Sequence, residues 1–365
     1  MVGQPPGLRC VACGRTYDPR SAEPWRCPCG AALDFDPTPS LTGDAPEPTE
    51  LDRDRGLWTF EAFLAVDRHV SLGEGWTPVV PAPEWEAAFK LDYLMPTGSF
   101  KDRGAAVTLS RAAALGVDRV VEDSSGNAGA AIAAYAARAG IQARIFVPAD
   151  AKASKLASIE RMGADVEAID GDRRAVADAC RRRVADTGAW YASHAWNPAF
   201  YAGTATFALE LAAQRGWEAP EAVVLPLGHG TLFLGAFRGF RALEAAGWID
   251  HLPQLLGAQA AGQAPIAERL HGPTNGTNAL ADGIQIDAPA RPNELLDAIN
   301  ETGGDAIAVS EPAVREALEE LRDAGFDVEP TSAVGPAAVR AYRDRGRLDA
   351  GSDVVVALTG SGLKS

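Results

Sequence analysis

"DRVVEDSSGNAGAAIAAYAARAGIQARIFVPAD" occupies residues 118–150. Its first part, 118–125, reads as a short buried strand. Residues 128–140 read as a helix of small residues, and 143–150 as a second strand. Two strands joined through a helix are a βαβ unit, which makes the strands parallel. The alternation continues downstream. "SKLASIERMG" is helical, "ADVEAID" a strand, 172–187 a helix, and "FYAGTATFALELAAQRG" a helix. "AVVLPLGHG", "LLGAQA", "DAIAVS" and "DVVVALTGSG" are strands, and "EPAVREALEELRDAG" is a helix. The expected fold class is therefore α/β, with parallel-rich twisted sheets covered on both faces.

Ligands in open parallel sheets bind beyond the carboxyl ends of the strands. Three loops fall there. "SSGNAG" (124–129) offers hydroxyls and backbone N–H groups at a helix start, suited to an anion, or else it is an ordinary capped loop. "LPLGHGTLFLG" (225–235) carries Gly228 and Gly230, which let the backbone approach a phosphate closely. "LTGSG" (358–362) supplies the hydroxyls of Thr359 and Ser361.

A fourth stretch, "PTGSFKDRG" (96–104), sets Lys101 at an apparent helix start in a chain whose other lysines are Lys90, Lys152, Lys155 and Lys364. Ser99 and Asp102 have the spacing of a capping box, which puts Lys101 in the first turn. There the helix dipole and partial burial disfavour the ammonium form, as suits a nucleophile or Schiff-base former. The alternative is a solvated surface lysine. A tuned lysine, an anion loop, a phosphate loop and a hydroxyl-bearing loop together suit pyridoxal phosphate, which needs an amine, a phosphate cradle and a partner for its pyridine nitrogen.

The chain has 365 residues, 47% of them hydrophobic, with a net charge of −15 and a pI of about 4.8. So acidic a protein is not expected to present a nucleic-acid surface. No apolar run reaches the roughly 20 residues that span a bilayer, and the first residues show no signal pattern. A cytoplasmic protein without a membrane partner is expected. Cys10, Cys13, Cys27 and Cys29 are arranged as C-x2-C, thirteen residues, then C-x-C, within "LRCVACGRTYDPRSAEPWRCPCGAALDF". Two such pairs can place four thiolates around one structural zinc; the other reading is a ribbon that no longer binds metal. Cys180, alone on a helix, reads as a buried structural thiol. Residues 1–35 thus form a zinc-ribbon-like module, and 36–51, rich in proline and acid, a linker.

From the cysteine block to its end the chain resembles the threonine synthase branch of the fold-type II, tryptophan synthase β-like, pyridoxal-phosphate enzymes. "VSLGEGWTPVV" (70–80), "PTGSFKDRG", "SSGNAGAAIAAYAARAG", "EPTSAVGPAA" (329–338) and "LTGSGLK" (358–364) fall in the order of that family's motifs. The resemblance implies two α/β lobes with the cofactor between them: a small domain over 80–195 and a large one over 52–79 and 196–365. It implies a homodimer. It assigns Lys101 as the Schiff-base and acid/base lysine and Asn127 as partner of the cofactor 3′-oxygen. Gly228, His229, Gly230, Thr231 and Leu232 would cradle the phosphate, and Thr359 would meet the pyridine nitrogen. Ser124, Ser125 and Ala128 would hold the carboxylate of a small amino-acid substrate. The implied activity is that of a lyase of amino-acid biosynthesis: γ-elimination of phosphate from O-phosphohomoserine, then β-addition of water to give threonine.

This chain departs from the family pattern in several places. Ser125 and Ala128 stand where the S-T-G-N-T loop has threonines, "PLGHGTL" stands for P-V-G-N-x-G-N, and "NPAFYAGTAT" (197–206) has neither the arginine nor the lysine of its counterpart. "TGSGLKS" lacks the histidine of T-G-H-G-L-K-D, and "ALADGIQI" (279–286) is similar to a segment of serine/threonine dehydratases. A dehydratase, or a β-elimination or β-replacement enzyme using phosphoserine, is therefore the alternative expectation. A third is a non-catalytic relic that binds the cofactor or an amino acid.

Overall fold

The computed structural model describes residues 5–19, 23–151 and 153–364. In chain order its strands are β1 (Gly7–Cys10), β2 (Thr16–Tyr17), β3 (Leu33–Asp36), β4 (Val79–Ala82), β5 (Ala87–Lys90), β6 (Arg119–Glu122), β7 (Gln142–Pro148), β8 (Asp165–Ile169), β9 (Trp190–Tyr191), β10 (Ala222–Pro226), β11 (Gln254–Ala260), β12 (Asp305–Val309) and β13 (Val354–Ala357). Its helices are α1 (Glu61–Leu64), α2 (Lys101–Ala114), α3 (Asn127–Ala139), α4 (Ala153–Glu160), α5 (Arg173–Thr187), α6 (Pro198–Gln214), α7 (Thr231–Ala245), α8 (Pro265–His271), α9 (Pro292–Glu301), α10 (Glu311–Asp323) and α11 (Pro330–Asp344). These group into two compact units.

The first unit holds the described residues through Leu41, with Asp52–Gly75 and Lys101–Thr204. Its main sheet is parallel, in the order β8-β7-β6-β9. The small residues of α3 allow close packing: a Cβ on Gly129 would sit 1.9 Å from the Ser124 carbonyl oxygen. Helices α2 and α6 likewise meet at glycines, where a Cβ on Gly104 would strike the Phe200 ring at 2.3 Å and one on Gly203 the Arg103 carbonyl oxygen at 2.0 Å. The carboxylate of Glu74, fully buried, accepts hydrogen bonds from Trp58 Nε1 (2.8 Å), Tyr135 Oη (2.9 Å), Leu72 N (2.8 Å) and Ser71 Oγ (3.3 Å). A buried carboxylate needs such ligation to offset its lost hydration.

The cysteine block is part of this unit. Its sheet runs β2-β1-β3, antiparallel, with Leu8, Leu33 and Phe35 buried. Arg111 of α2, fully buried, donates to Glu23 (Nε, 2.8 Å) and to the Pro6 carbonyl (3.0 Å), and lies 4.8 Å from the Phe35 ring centre. Glu23 also accepts from Trp190 Nε1 at 3.0 Å.

The second unit holds Thr42–Leu51, Trp76–Phe100 and the described residues from Ala205 on. Its sheet is ordered β12-β11-β10-β13-β5-β4 and is parallel except for the edge strand β4. Pro81 suits that edge, because a proline has no N–H to give a ladder. Helix α10 buries Val314, Ala317, Leu318 and Leu321, spaced as one helical face. Each larger apolar side chain buried this way contributes about 1.5–3 kcal/mol. The proline-rich segment 42–51 is fastened to this unit, since Trp217 Nε1 donates to the Pro46 carbonyl (2.7 Å) and Trp248 Nε1 to that of Gly43 (2.9 Å). Trp76–Phe100 thus belongs with the residues from Ala205 on, and Asp52–Gly75 with Lys101–Thr204, where the sequence expectation joined 52–79 to 196–365 as the large domain and made 80–195 the small one. The physical reason is the β4–β5 hairpin, which joins the large sheet beside β13.

One local expectation is corrected. Helix α2 begins at Lys101, and Ser99 Oγ is buried without a hydrogen-bond partner among the described residues. Ser99 makes no capping box with Asp102. It is drawn instead into an antiparallel bridge with Gly360.

Candidate active site

Lys101 is the first residue of α2 and is half-buried. The segment that delivers it is tied to the loop after β13: Phe100 N donates to the Thr359 carbonyl and Ser361 N to that of Gly98, both at 3.0 Å. Two motifs some 260 positions apart in sequence are thus laced together within the second unit.

Thr359 is 2% exposed. Ser332 of α11 organises it: Ser332 Oγ accepts from Thr359 N (3.0 Å) and Gly360 N (2.8 Å) and lies 3.2 Å from Thr359 Oγ1. Sequence reading singled out "EPTSAVGPAA" without giving Ser332 a task. Strand β10 lies beside β13 in parallel register, Val224 opposite Val356, so the loops that follow them emerge at the same edge of the sheet. The loop after β10 carries Gly228, His229 and Gly230, and Thr231 and Leu232 open α7. Gly230 has φ +79°, and a Cβ there would meet Leu295 Cδ2 at 2.5 Å; one on Gly228 would lie 3.1 Å from Ile284 Cα. Bare glycine backbone running into the positive end of a helix suits a phosphate dianion.

In the first unit, Ser124 and Ser125 follow β6, while Asn127 and Ala128 begin α3. Ser124 Oγ accepts from Gly126 N at 3.3 Å, closing a tight turn ahead of the helix. Lys101, Ser124, Ser125, Asn127 and Ala128 all belong to this unit, and Gly228–Leu232 and Thr359 to the other.

Beside this loop lies a cluster that sequence reading missed. Glu122 ends β6, and its Oε1 is 2.5 Å from His194 Nδ1; Tyr191 Oη donates to Asp123 Oδ1 at 2.5 Å. All four side chains are buried. Burial pushes the Glu122 carboxyl up to about 8, against the opposing pull of Arg173 and Lys101. Burial also raises Asp123, helped by the Glu122 charge. It holds His194 well below its ordinary value, with Lys101 and Arg173 acting in the same direction. The only sequence signal was two acids ending an apolar strand.

A second phosphate would need a cation, for which the sequence offers Arg103, Arg144, Arg161 and Arg238: Arg144 pairs with Asp165 (3.2 Å) and Glu167 (3.4 Å), Arg238 pairs with Glu294 (2.8 Å), and Arg161 is exposed. Arg103 is fully buried. Phe200, which stands where the family pattern has arginine, is also fully buried and packs on Gly104.

The four module cysteines converge. Their sulfurs all lie within 4.8 Å of one another, with Cys10–Cys29 at 3.5 Å and Cys13–Cys27 at 3.6 Å. Sulfurs around a tetrahedral zinc stand about 3.8 Å apart, given Zn–S near 2.3 Å. The Tyr17 hydroxyl, donating to Cys27 Sγ at 3.1 Å, helps lower that thiol to about 6.

An amine at a helix start, bare backbone at the mouth of α7 and an organised hydroxyl beyond β13 are the donors that pyridoxal phosphate asks of a protein, and the fold that carries them is of the α/β class. Residues 70–360 match the family described as pyridoxal-phosphate dependent enzyme, and the chain belongs to that family. Over 375 aligned residues it is 33% identical to a threonine synthase of Methanocaldococcus jannaschii, covering 98% of this chain and 92% of the relative. It is 35% identical over 303 residues to a threonine synthase of Mycobacterium leprae, covering 81% and 83%. The solved structure of threonine deaminase isoform 2 from Solanum lycopersicum superposes with a TM-score of 0.69 at 19% identity, covering 93% of this chain and 90% of that one, which speaks for the fold alone. Among the described residues no helix is long and apolar enough to cross a membrane.

Proposed function

We propose that this enzyme acts as a threonine synthase, releasing phosphate from O-phosphohomoserine and adding water to give threonine. The observation that carries the reading is the near-complete coverage, at 33% identity, of a relative bearing that name, joined to the intact "PTGSFKDRG" stretch with Lys101 at its helix start.

Bound pyridoxal phosphate withdraws electrons from an amino acid joined to it, so that the hydrogen on Cα becomes acidic. Lys101 would bond the cofactor carbonyl in the resting enzyme and, once displaced by substrate, take the proton from Cα and return one further along the side chain. Asn127 would hold the 3′-oxygen. Backbone N–H groups of Gly228–Leu232 would bind the cofactor phosphate. Thr359, presented by Ser332, would hydrogen-bond the pyridine nitrogen as a neutral partner, which does not keep that nitrogen protonated. The 124–128 turn would bind the substrate carboxylate through backbone N–H groups and serine hydroxyls.

The test is to incubate the cofactor-loaded enzyme with O-phosphohomoserine. Inorganic phosphate and threonine should appear in equal amounts. A second reading, a serine/threonine dehydratase, is favoured by the apolar Phe200 and by the commitment of Arg144 and Arg238 to acidic partners. Ammonia and a 2-oxo acid from serine or threonine, with no phosphate from O-phosphohomoserine, would select it.

We also read the cysteine cluster as a structural zinc site, since four thiolates leave no open position for catalysis. Protein purified without chelator should carry about one zinc per chain, and Cys27→Ser should lose it while lowering the thermal midpoint. A metal-free protein of unchanged midpoint would contradict this.

A further inference from the structure

We propose that the first unit carries a second binding site, for a small molecule bearing a phosphate monoester, in the cleft between the cysteine module and α5. The site is separate from the candidate active site, since none of the residues assigned there to cofactor or substrate lines it. The inference goes beyond the proposed function and does not depend on it.

The cleft has a volume of about 530 Å³, within the range of small-molecule sites. One wall is the segment 24–28 of the module, and the other is the second half of α5. Both belong to the first unit. The walls bring Arg26, Arg181 and Arg182 around one space. The carboxylate that lines it, Asp178, pairs with Arg181 at 2.5 Å. The Cys27 thiol also borders the cleft, but it is buried and accepts from Tyr17 Oη at 3.1 Å. Arg26 and Arg182 have no carboxylate within ion-pair distance among the described residues. Acidic partners are plentiful in a chain of net charge −15. On the same helix Arg183 pairs with Glu167 at 3.2 Å, and elsewhere Arg144, Arg215 and Arg340 each have one. The two guanidiniums on this cleft are the ones left for a ligand.

These cationic groups are also held in place. Arg26 lies over the Trp25 ring, 4.5 Å from its centre, and Trp25 is braced edge-on by Tyr191 (5.5 Å) and Trp196 (5.3 Å). A guanidinium resting on an aromatic ring loses less freedom when it binds, and its N–H groups stay available to a ligand. Prolines at 24 and 28 stiffen the segment between them. Arg182 stands on a helix, whose backbone is fixed. Paired guanidiniums suit a phosphate, which accepts two N–H groups from each arginine and carries the charge to balance both. The part of Trp25 that lines the cleft offers an apolar surface to the rest of such a molecule.

The test uses the full-length enzyme loaded with its cofactor, so that the cofactor's own phosphate site is filled, and phenyl phosphate as the probe. Isothermal titration should show binding with a Kd of about 1 mM or tighter. The double variant Arg26→Ala with Arg182→Ala should weaken it roughly tenfold or more. Both arginines are exposed, so the variant should keep its far-UV circular dichroism. A second readout locates the probe in the wild-type chain. Labelling with phenylglyoxal, read by peptide mass spectrometry, should find Arg26 and Arg182 protected by phenyl phosphate and Arg174, exposed on the same helix, unprotected. Absence of binding, equal affinity in the double variant, or protection shared equally by Arg174 would overturn the proposal. Neither readout involves turnover. Failure of this site and failure of the proposed substrate are therefore separate results.

Discussion

Lys101→Ala is expected to leave a folded protein that turns over substrate roughly 10³-fold more slowly, or worse, and no longer attaches the cofactor covalently. Three features support so large an effect. Lys101 is the first residue of α2, at the positive end of the helix dipole. The chain leading to it is fixed by the Phe100–Thr359 and Ser361–Gly98 hydrogen bonds, so the position of its backbone is well defined. The other lysine in a matched motif, Lys364 of "LTGSGLK", opens no helix. The side chain is only half-buried, so its removal should cost little stability. Borohydride reduction of wild-type protein followed by peptide mapping should find the cofactor mass on Lys101. Label on another lysine, or a variant with more than a tenth of wild-type activity, would contradict the assignment.

Glu210→Ala is expected to destabilise the protein by about 3–5 kcal/mol, because it strands the buried ammonium of Lys90. Both side chains are fully buried, and Lys90 Nζ donates to Glu210, to the Thr77 carbonyl at 2.6 Å and to Gln214 Oε1 at 2.9 Å. Thr77 in turn donates to Asp92 at 2.7 Å, so the network ties β5 to α6 and to the start of the β4 hairpin. Urea unfolding of the single variant gives the loss. The double variant Lys90→Met with Glu210→Leu should recover most of it, since replacing both partners leaves no buried charge. A single-variant loss below about 1 kcal/mol would mean that the ammonium finds other compensation.

The parallel core was legible in the sequence because its strands are short apolar runs bounded by glycines and polar turns. The strand read at 118–125 forms at Arg119–Glu122, and the helix read at 128–140 at Asn127–Ala139. What was not legible depended on tertiary contact. Pro330, Gly335 and Pro336 read locally as breaks, yet α11 runs unbroken from Pro330 to Asp344. Its buried face packs on the sheet, and Gly335 is needed there, because a Cβ would lie 2.8 Å from Val356 Cγ1. Strand β9 is two residues long and forms only beside β6. The β4–β5 hairpin carries a proline and turns through Glu86 at φ +47°, a signal too weak to read locally. The Ser99 cap failed because β-bridging to Gly360 competed with helix capping and prevailed. The candidate site residues that the sequence offered all stand in motifs. Glu122, His194 and Ser332 were missed because their importance lies in what they touch across gaps of 72 and 27 residues.

The most direct test of the account is the release of inorganic phosphate from O-phosphohomoserine by the cofactor-loaded enzyme, measured together with threonine. Phosphate and threonine should rise in equal amounts, and both should vanish in Lys101→Ala. Enzyme that holds its cofactor on Lys101 yet releases no phosphate, while forming a 2-oxo acid and ammonia from serine or threonine, would contradict it.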